Sequence, residues 1–335
     1  MQKRTKCDAC AGELVFSPTH NYLMCKNCHA KYPIKLNKTI AQHSFDNTAI
    51  SKKVVKTNFL TCSSCGAVVA VDNYDLLDKC DYCGSTNLSK NINEISADAI
   101  LPFQFDKQEA KEKFKSYLSK KSLLPNAVKN STNKVLVESK YFTSYVFNGS
   151  AKIKYSGKLE YTTRDSDGDT VYHTKRVNGV MDFPFINYVV EANDNMTQYD
   201  LDAISPFTIS KGRAYSYEYL LGSNAEVADI SPSQANEVFL SKLKTNCQNL
   251  ICRLHNCDKV ISMNLDIEFV DKKYSTYLLP SYIFKLNYKD KEYINIMNGD
   301  TGKTSGNLPK SGWKITFRVL IILFIILIIL GLVLV

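Results

Sequence analysis

The sequence has 335 residues and carries 42 Lys and Arg against 33 Asp and Glu, a net charge of +9. Hydrophobic residues make up 44% of it and aromatic residues 11%, which excludes a mainly disordered chain and suffices for a packed core. With only 14 glycines and 9 prolines, collagen-like and linker-dominated architectures are excluded as well. The length leaves room for two or more domains.

Four C-x-x-C pairs dominate the N-terminal part of the chain. One C-x2-C-x14-C-x2-C set, and its repeat 55 residues later, consist of Cys7, Cys10, Cys25 and Cys28, and of Cys62, Cys65, Cys80 and Cys83. A C-x-x-C turn presents two thiolates to one ion, and fourteen residues suffice for a hairpin that returns the second pair. Four thiolates fill a tetrahedral site, so we predict two structural Zn²⁺ ions; disulfides or an iron–sulfur cluster are the alternatives.

These cysteines predict two small β zinc ribbons, at residues 1–34 and 57–90, with a linker over residues 35–56. The 90 residues carry 12 Lys and Arg against 7 Asp and Glu, a mild basic bias. They offer few aromatic side chains on which bases could stack. Direct nucleic-acid binding is therefore the weaker expectation for these ribbons.

The residues that follow the cysteine pairs differ between the two ribbons. Gly66 and Gly84 follow the pairs of the second ribbon, where a left-handed backbone lets N–H groups point at sulfur. The first ribbon has Ala11 and His29 at these positions, and we expect less ideal turns there. Because four cysteines are present, His29 is expected to be exposed rather than to act as a ligand.

A helix is predicted from residue 106 onward. Asp106 precedes the run KQEAKEKFKSYLSKK, and Glu109 stands three residues on, the spacing of a capping box. One face of this helix carries Ala110, Phe114, Tyr117 and Leu118. We expect that face to pack on its own domain; docking on a membrane surface is the alternative.

Residues 134–192 change to a period of two, the pattern of half-buried strands. Asn148-Gly149 is a strong two-residue hairpin signal and predicts a turn there. The polar residues 165–169, DSDGD, predict a second turn. A calcium loop is the alternative, but its twelfth position requires Glu and is Arg176 here.

A further helix is predicted near residues 233–255, opened by Ser231 and Pro232. In and just after it lie Cys247, Cys252, His255 and Cys257. Spacings of five place these cysteines on different helical faces, so we expect buried or incidental thiols; a third metal site is the alternative.

Two more strands are predicted over residues 276–288 and 291–299, joined by a turn at residues 289–291. The glycine-containing residues 298–306 lack the G-x4-G-K-[ST] spacing of a phosphate-binding loop, so we expect a turn. Residues 91–310 together predict an α+β domain with a mostly antiparallel sheet.

The chain closes on an apolar segment. Residues 319–335 read VLIILFIILIILGLVLV, and starting at residue 315 the segment gives about 31 Å of helix, enough for a hydrocarbon core. Lys310, Lys314 and Arg318 precede it, and Trp313 stands where an interfacial anchor belongs. We predict a transmembrane helix over residues 315–335, a tail anchor in the cell membrane with the N-terminal bulk in the cytoplasm, where cysteines stay reduced.

Three stretches outside the apolar segment carry a family resemblance. They are the N-terminal C-x-x-C pairs, LPFQFDKQEAKEKFKSYL at residues 101–118, and YLLPSYIFKLNYKDKEYINIMNGDTGKTSGNLP at residues 277–309. Together they resemble a bacterial family of membrane-anchored zinc-ribbon proteins of the TFIIB or primosomal-helicase-like type. The resemblance implies a place in membrane-stress systems beside PspA-like coat proteins and SPFH scaffolds. Helicase activity is not implied, because the phosphate-binding loop is missing.

We expect a non-enzymatic membrane adaptor that recruits a protein scaffold. This expectation rests on the closed metal sites, on the tail anchor and on the finding that the sequence shows no catalytic motif. A membrane-tethered regulator that binds nucleic acid through the ribbons is the alternative, supported by the net charge. A hydrolase or transferase is the weakest of the three hypotheses.

Overall fold

The computed structural model describes residues 6–34, 39–45, 58–62, 68–71, 85, 88–89, 97–130, 135–193, 196–226 and 228–333. Its strands are β1 (Leu14–Ser17), β2 (Tyr22–Cys25), β3 (Lys31–Pro33), β4 (His43–Ser44), β5 (Asn58–Cys62), β6 (Val68–Val71), β7 (Leu88–Ser89), β8 (Ala99–Ile100), β9 (Leu136–Arg164), β10 (Thr170–Glu191), β11 (Arg213–Ala214), β12 (Asn224–Ala225), β13 (Lys259–Tyr288), β14 (Lys291–Asn298) and β15 (Thr304–Gly306). Its α-helices are α1 (Lys107–Ser119), α2 (Asn126–Asn130), α3 (Gln198–Ile204), α4 (Pro232–Leu254) and α5 (Gly312–Val333). Short 3₁₀ helices cover Ile209–Lys211 and Tyr217–Leu220.

Two small antiparallel sheets precede the main body. The first has the strand order β1-β2-β3 and the second the order β6-β5-β7. The first carries a cluster of four cysteines. In the second predicted set, Cys62 ends β5, whereas Cys65, Cys80 and Cys83 lie outside the described residues.

The body is built on one large sheet with the central order β10-β9-β13-β14-β15, in which all neighbours are antiparallel. Among the described strands, parallel pairing is confined to the two-residue β8, which pairs with β13, and the two-residue β12, which pairs with β9. The prediction of a mostly antiparallel sheet is therefore confirmed. β13 spans 30 residues, roughly 100 Å along its path, so it runs through the whole sheet.

The long strands change their burial along their length. In β9, residues 141–147 are all buried, because helices cover both faces. On one face Phe114 of α1 and Phe239 of α4 cover the strand, and on the other face α3 covers it through Leu201 and Ile204. Beyond residue 150 burial alternates, since α4 covers only one face there. The uncovered face carries charged side chains such as Lys152 and Lys154.

The predicted hairpin at Asn148-Gly149 is wrong, because β9 runs straight through these residues. A type I′ turn needs positive φ at both positions, and only Gly149 has it, at 150°. A Cβ on Gly149 would lie 1.9 Å from the carbonyl oxygen of Asp271, so glycine permits the close approach of β13. The register of β13 against β9 shifts beside this point, between Phe269 and Asp271. The hairpin lies instead at residues 165–169, as the second predicted turn had it.

Both helices start where predicted, but the capping box predicted at Asp106 and Glu109 is wrong. The Asp106 side chain accepts the N–H groups of Gln108 and Glu109, while the Glu109 carboxylate pairs with Lys113 rather than closing a capping box. On α1, Phe114 stacks on Phe284 of β13 at 4.1 Å between ring centroids. At α4, Ser231 and Gln234 form a reciprocal capping box.

The C-terminal hairpin is confirmed, with one strand longer than predicted. Lys289 and Asp290 form its two-residue turn at φ 50° and 60°. β13 begins at Lys259, well before the predicted residue 276. Residues 298–302 form a turn before β15, as predicted.

The segment after the first small sheet is attached to the body. β4 pairs with Lys273 and Tyr274 of β13. The Lys272 ammonium lies 3.9 Å from the ring centroid of Phe45 and bonds the side chain of Asn236. Burial lowers the pKa of Lys272 to about 8.

α5 is long and apolar enough to cross a membrane, and it starts three residues before the predicted segment. Its stretch Gly312–Ile329 is 0% buried against the protein. Trp313 is 79% exposed. Beyond Arg318, the described side chains of this helix, Val319–Ile329, are exposed, and an apolar surface of this kind suits a surrounding other than water.

Candidate metal centre

The first small sheet places two cysteine pairs at the same end of a hairpin. Cys7 and Cys10 lie in the turn before β1, while Cys25 ends β2 and Cys28 lies in the turn that leads to β3. Each turn closes on its first cysteine, because Ala11 N–H bonds the Cys7 carbonyl at 2.8 Å and His29 N–H bonds the Cys25 carbonyl at 3.1 Å. The fourteen residues between Cys10 and Cys25 form β1, the turn that follows it and most of β2.

The four sulfur atoms lie within 4.8 Å of one another. Cys7 and Cys28 are 3.4 Å apart at Sγ, and Cys10 and Cys25 are 3.5 Å apart. Four sulfurs about 2.3 Å from one tetrahedral ion would be roughly 3.8 Å apart. The cluster therefore fits one metal ion.

Both turns have the backbone shape that favours thiolate binding. Ala11 and His29 adopt left-handed φ values of 56° and 59°, although neither is glycine. The N–H of Asn27 donates to the Cys25 sulfur at 3.4 Å. The first set thus forms the turns despite its residues, and the His29 side chain is exposed outside the four-sulfur group, as expected.

Tyr32 is a contributor that sequence reasoning missed. Its hydroxyl accepts the N–H of Asp8 at 3.0 Å and lies 3.2 Å from the Cys7 sulfur, within hydrogen-bond distance. The hydrogen bond with Tyr32 is the largest contribution, ahead of backbone N–H groups in the turn, to a Cys7 pKa lowered to about 6. The only sequence signal is the position of Tyr32 on β3, facing back to the cysteine turn.

The thiols oppose one another's ionisation. The N–H of Ala30 lowers the pKa of Cys28, but the sulfurs of Cys10, Cys7 and Cys25, with burial, raise it to about 12. Four thiolates this close need a bound cation to balance their charge. The donor set is all sulfur and all four tetrahedral positions are taken, which is the chemistry of a structural site rather than a catalytic one.

The cluster joins the body on one side and faces outward on the other. Cys7 and Cys25 are buried, whereas Cys10 and Cys28 are exposed. Phe16 of β1 packs edge-to-face on Tyr219 at 5.0 Å, and its N–H bonds the Leu221 carbonyl at 3.0 Å. The sheet is thereby fixed to the body while both cysteine turns stay accessible.

The cysteines near the end of α4 form no such group. Cys252 and Cys257 are joined by a disulfide, so the expectation of incidental thiols is wrong for this pair. Cys247 is buried in the core beneath α4, as expected. The His255 imidazole bonds the Tyr155 hydroxyl at 3.1 Å instead of facing a thiol. Within the described part of the chain, the four-cysteine cluster is the one group of three or more His, Cys, Asp or Glu at metal-ligand distances.

Comparisons with known proteins assign this chain to no family. No family model matches the chain. The chain is 21% identical over 221 residues to "Uncharacterized protein YdjG" of Bacillus subtilis (strain 168). That alignment covers 64% of this chain and 64% of the relative, slightly less than two thirds of its length. No solved structure matches.

Proposed function

We propose that this chain is a non-enzymatic, zinc-binding, tail-anchored membrane adaptor. It would hold its cysteine clusters and its α+β body at a membrane surface and recruit a protein scaffold there. The observation that carries the proposal is the pairing of an all-sulfur cluster on the body with an apolar helix whose side chains are exposed from Val319 to Ile329. Neither feature supplies reaction chemistry, and together they suit presentation of a surface at a membrane.

Zinc is the proposed metal at both cysteine sets. Support for the first set comes from its sulfur spacing and its left-handed turns. Support for the second is its identical C-x2-C-x14-C-x2-C spacing, with Gly66 and Gly84 at the turn positions. Both ions would be structural, and each would stabilise a sheet too small to fold on its own apolar core.

The proposed orientation places the body in the cytoplasm. Lys310, Lys314 and Arg318 precede the apolar segment, and positive residues stay on the cytoplasmic side. A reducing cytoplasm opens accessible disulfides, so Cys252 and Cys257 would be thiols in the cell. A cysteine introduced at the exposed Lys175 by Lys175→Cys should then stay unlabelled when a membrane-impermeant thiol reagent is applied to intact cells, and should be labelled after lysis; labelling before lysis would reverse the orientation.

A cytoplasmic scaffold is the proposed partner. The family resemblance supports a PspA-like or SPFH-like scaffold, in a membrane-stress response. The outward cysteine turns of the first small sheet support recruitment through that sheet, because Cys10 and Cys28 are exposed while Leu14, Phe16 and Leu23 pack into the core of the body.

The test is a mass-spectrometric pull-down of the full-length protein from native membranes, with and without nuclease. A protein scaffold that persists through nuclease treatment is expected. Cys62→Ser with Cys65→Ser should lose it, whereas the control Cys252→Ser with Cys257→Ser should keep it. Co-purifying nucleic acid, with protein partners lost on digestion, would instead establish the membrane-tethered nucleic-acid regulator.

A further inference from the structure

The base of α5 is fixed to the body by four hydrogen bonds. Lys314 Nζ donates to the Leu124 carbonyl and to Asn126 Oδ1, both at 2.7 Å. Arg318 donates to the Ser122 hydroxyl at 2.9 Å, and Ser311 N–H donates to the Leu123 carbonyl at 2.8 Å. The loop between α1 and α2 therefore lies beside the first turns of α5.

These bonds determine the position of the α1–α2 loop along the axis of α5, relative to the start of the apolar segment. Arg318 is the last charged residue before the uncharged residues 319–335. Ser122 contacts Arg318, so Lys120 and Lys121, which directly precede Ser122, lie level with the start of the apolar segment. In an anchored chain this is the depth of the lipid headgroups.

A pocket of about 370 Å³ lies at this junction. It is smaller than the pocket of about 640 Å³ on the outer face of α1. Its walls are the α1–α2 loop and the chain that leads into α5, and its apolar floor includes Leu124, Leu308 and Pro309. Three lysines line it, Lys120, Lys121 and Lys310, and all three are exposed.

The charge around this pocket is of one sign. Neither residues 119–130 nor residues 303–318 contain an Asp or Glu. In the described part of the chain, no carboxylate lies within salt-bridge distance of Lys120, Lys121 or Lys310. Lys121 is instead held over the ring of Tyr117 at 4.3 Å. Three unneutralised ammonium groups around an apolar floor suit a ligand with an anionic head and an apolar tail.

We propose that this junction pocket, lined by Lys120, Lys121 and Lys310, binds the phosphate of an anionic membrane phospholipid. The inference rests on the proposed membrane anchorage and adds a lipid preference to it. The bound headgroup would bridge the α1–α2 loop and the base of α5, and so would hold the body at a fixed angle to the membrane.

The single tryptophan provides a local reporter. Trp313 lies in the first turn of α5, three residues after Lys310. Full-length protein is reconstituted into vesicles of phosphatidylcholine and phosphatidylglycerol in which either lipid carries brominated acyl chains, at equal mole fraction of brominated lipid. Brominated phosphatidylglycerol should quench Trp313 more strongly. The triple variant Lys120→Gln, Lys121→Gln, Lys310→Gln should abolish this difference. Each lysine removed should lower the affinity for phosphatidylglycerol relative to phosphatidylcholine by about five-fold.

A charge-matched control separates the pocket from net charge. Lys111→Gln with Lys115→Gln and Lys175→Gln removes three exposed lysines outside the pocket and should keep the preference. Equal quenching by both lipids in the wild type, or an unchanged preference in the pocket variant, would overturn the proposal. Loss of the preference on adding inorganic phosphate would assign the pocket to free phosphate instead. If neither brominated lipid quenches Trp313, the membrane anchorage itself is refuted, which is a distinct result.

Discussion

The cysteines of the first small sheet and those around α4 are used in different ways. In the sheet, four thiols from two turns converge to within 4.8 Å and none is paired. Around α4, Cys252 and Cys257 close a disulfide across the end of the helix, and Cys247 is buried alone in the core.

The difference lies in the backbone that carries each pair. A C-x2-C turn with a left-handed residue after it directs both sulfurs to one side, as Ala11 and His29 show. A helix directs residues five apart to different faces, and only the left-handed Asn256, at φ 51°, turns the chain back so that Cys257 meets Cys252. Spacing predicts a metal site only where the intervening backbone is a turn.

The largest expected effect comes from removing ligands of the cluster. Cys7→Ser with Cys25→Ser should release one metal ion per chain and unfold the first small sheet, because structural metal binding contributes about 10 kcal/mol or more to such folds. Elemental analysis gives the metal content, and hydrogen exchange of β1 and β2 gives the unfolding. Cys252→Ser with Cys257→Ser is the matched control; the metal site is misassigned if both variants hold the same amount of metal.

Cys247 should behave as a buried apolar residue. Burial raises the pKa of its thiol to about 11, so it should resist alkylation in the folded protein at neutral pH. Cys247→Ser should lower the free energy of unfolding by about 2 kcal/mol, because the hydroxyl has no partner among Phe239, Leu243 and their neighbours. Thermal unfolding in detergent, with Cys247→Ala as the smaller-effect control, checks this; an equal loss in both variants would point to volume rather than polarity.

Opening the disulfide should have an effect of similar size. Cys252→Ser with Cys257→Ser removes a cross-link over a sequence separation of 5, which the chain-entropy model values at about 2 kcal/mol. Thermal unfolding under oxidising conditions should show the loss, and added reductant should bring the wild type down to the variant. A difference that persists in reductant would mean that the serines, not the lost bond, are responsible.

The smallest effect tests the turns themselves. Ala11→Gly relieves a left-handed residue at φ 56° and should tighten metal binding by about two- to five-fold, corresponding to about 0.5–1 kcal/mol. Competition with a chelator measures it. Ala9→Gly, in the same turn but without positive φ, should weaken binding or leave it unchanged; equal gains in both variants would show that flexibility rather than conformation matters.

Local signals predicted a good part of this molecule. The cysteine spacing, the Asp106 and Ser231 helix starts, the turn at residues 165–169 and the apolar α5 all depend on contacts between near neighbours in sequence. Such signals need no knowledge of the rest of the fold.

The features that were missed depend on distant residues. The sequence around Gly149 predicts a turn because the role of this glycine, the close approach of Asp271, exists only once β9 and β13 are paired. Tyr32 reaches Cys7 only across the folded hairpin. The disulfide depended on the turn at Asn256, which no residue pattern marked.

The most direct test of the central claim is to measure the metal in full-length protein purified from the membrane fraction, by elemental analysis and X-ray absorption. The account predicts two zinc ions per chain, each with four sulfur neighbours at about 2.3 Å. Recovery in the soluble fraction, absence of zinc, or iron with bridging sulfide would contradict it.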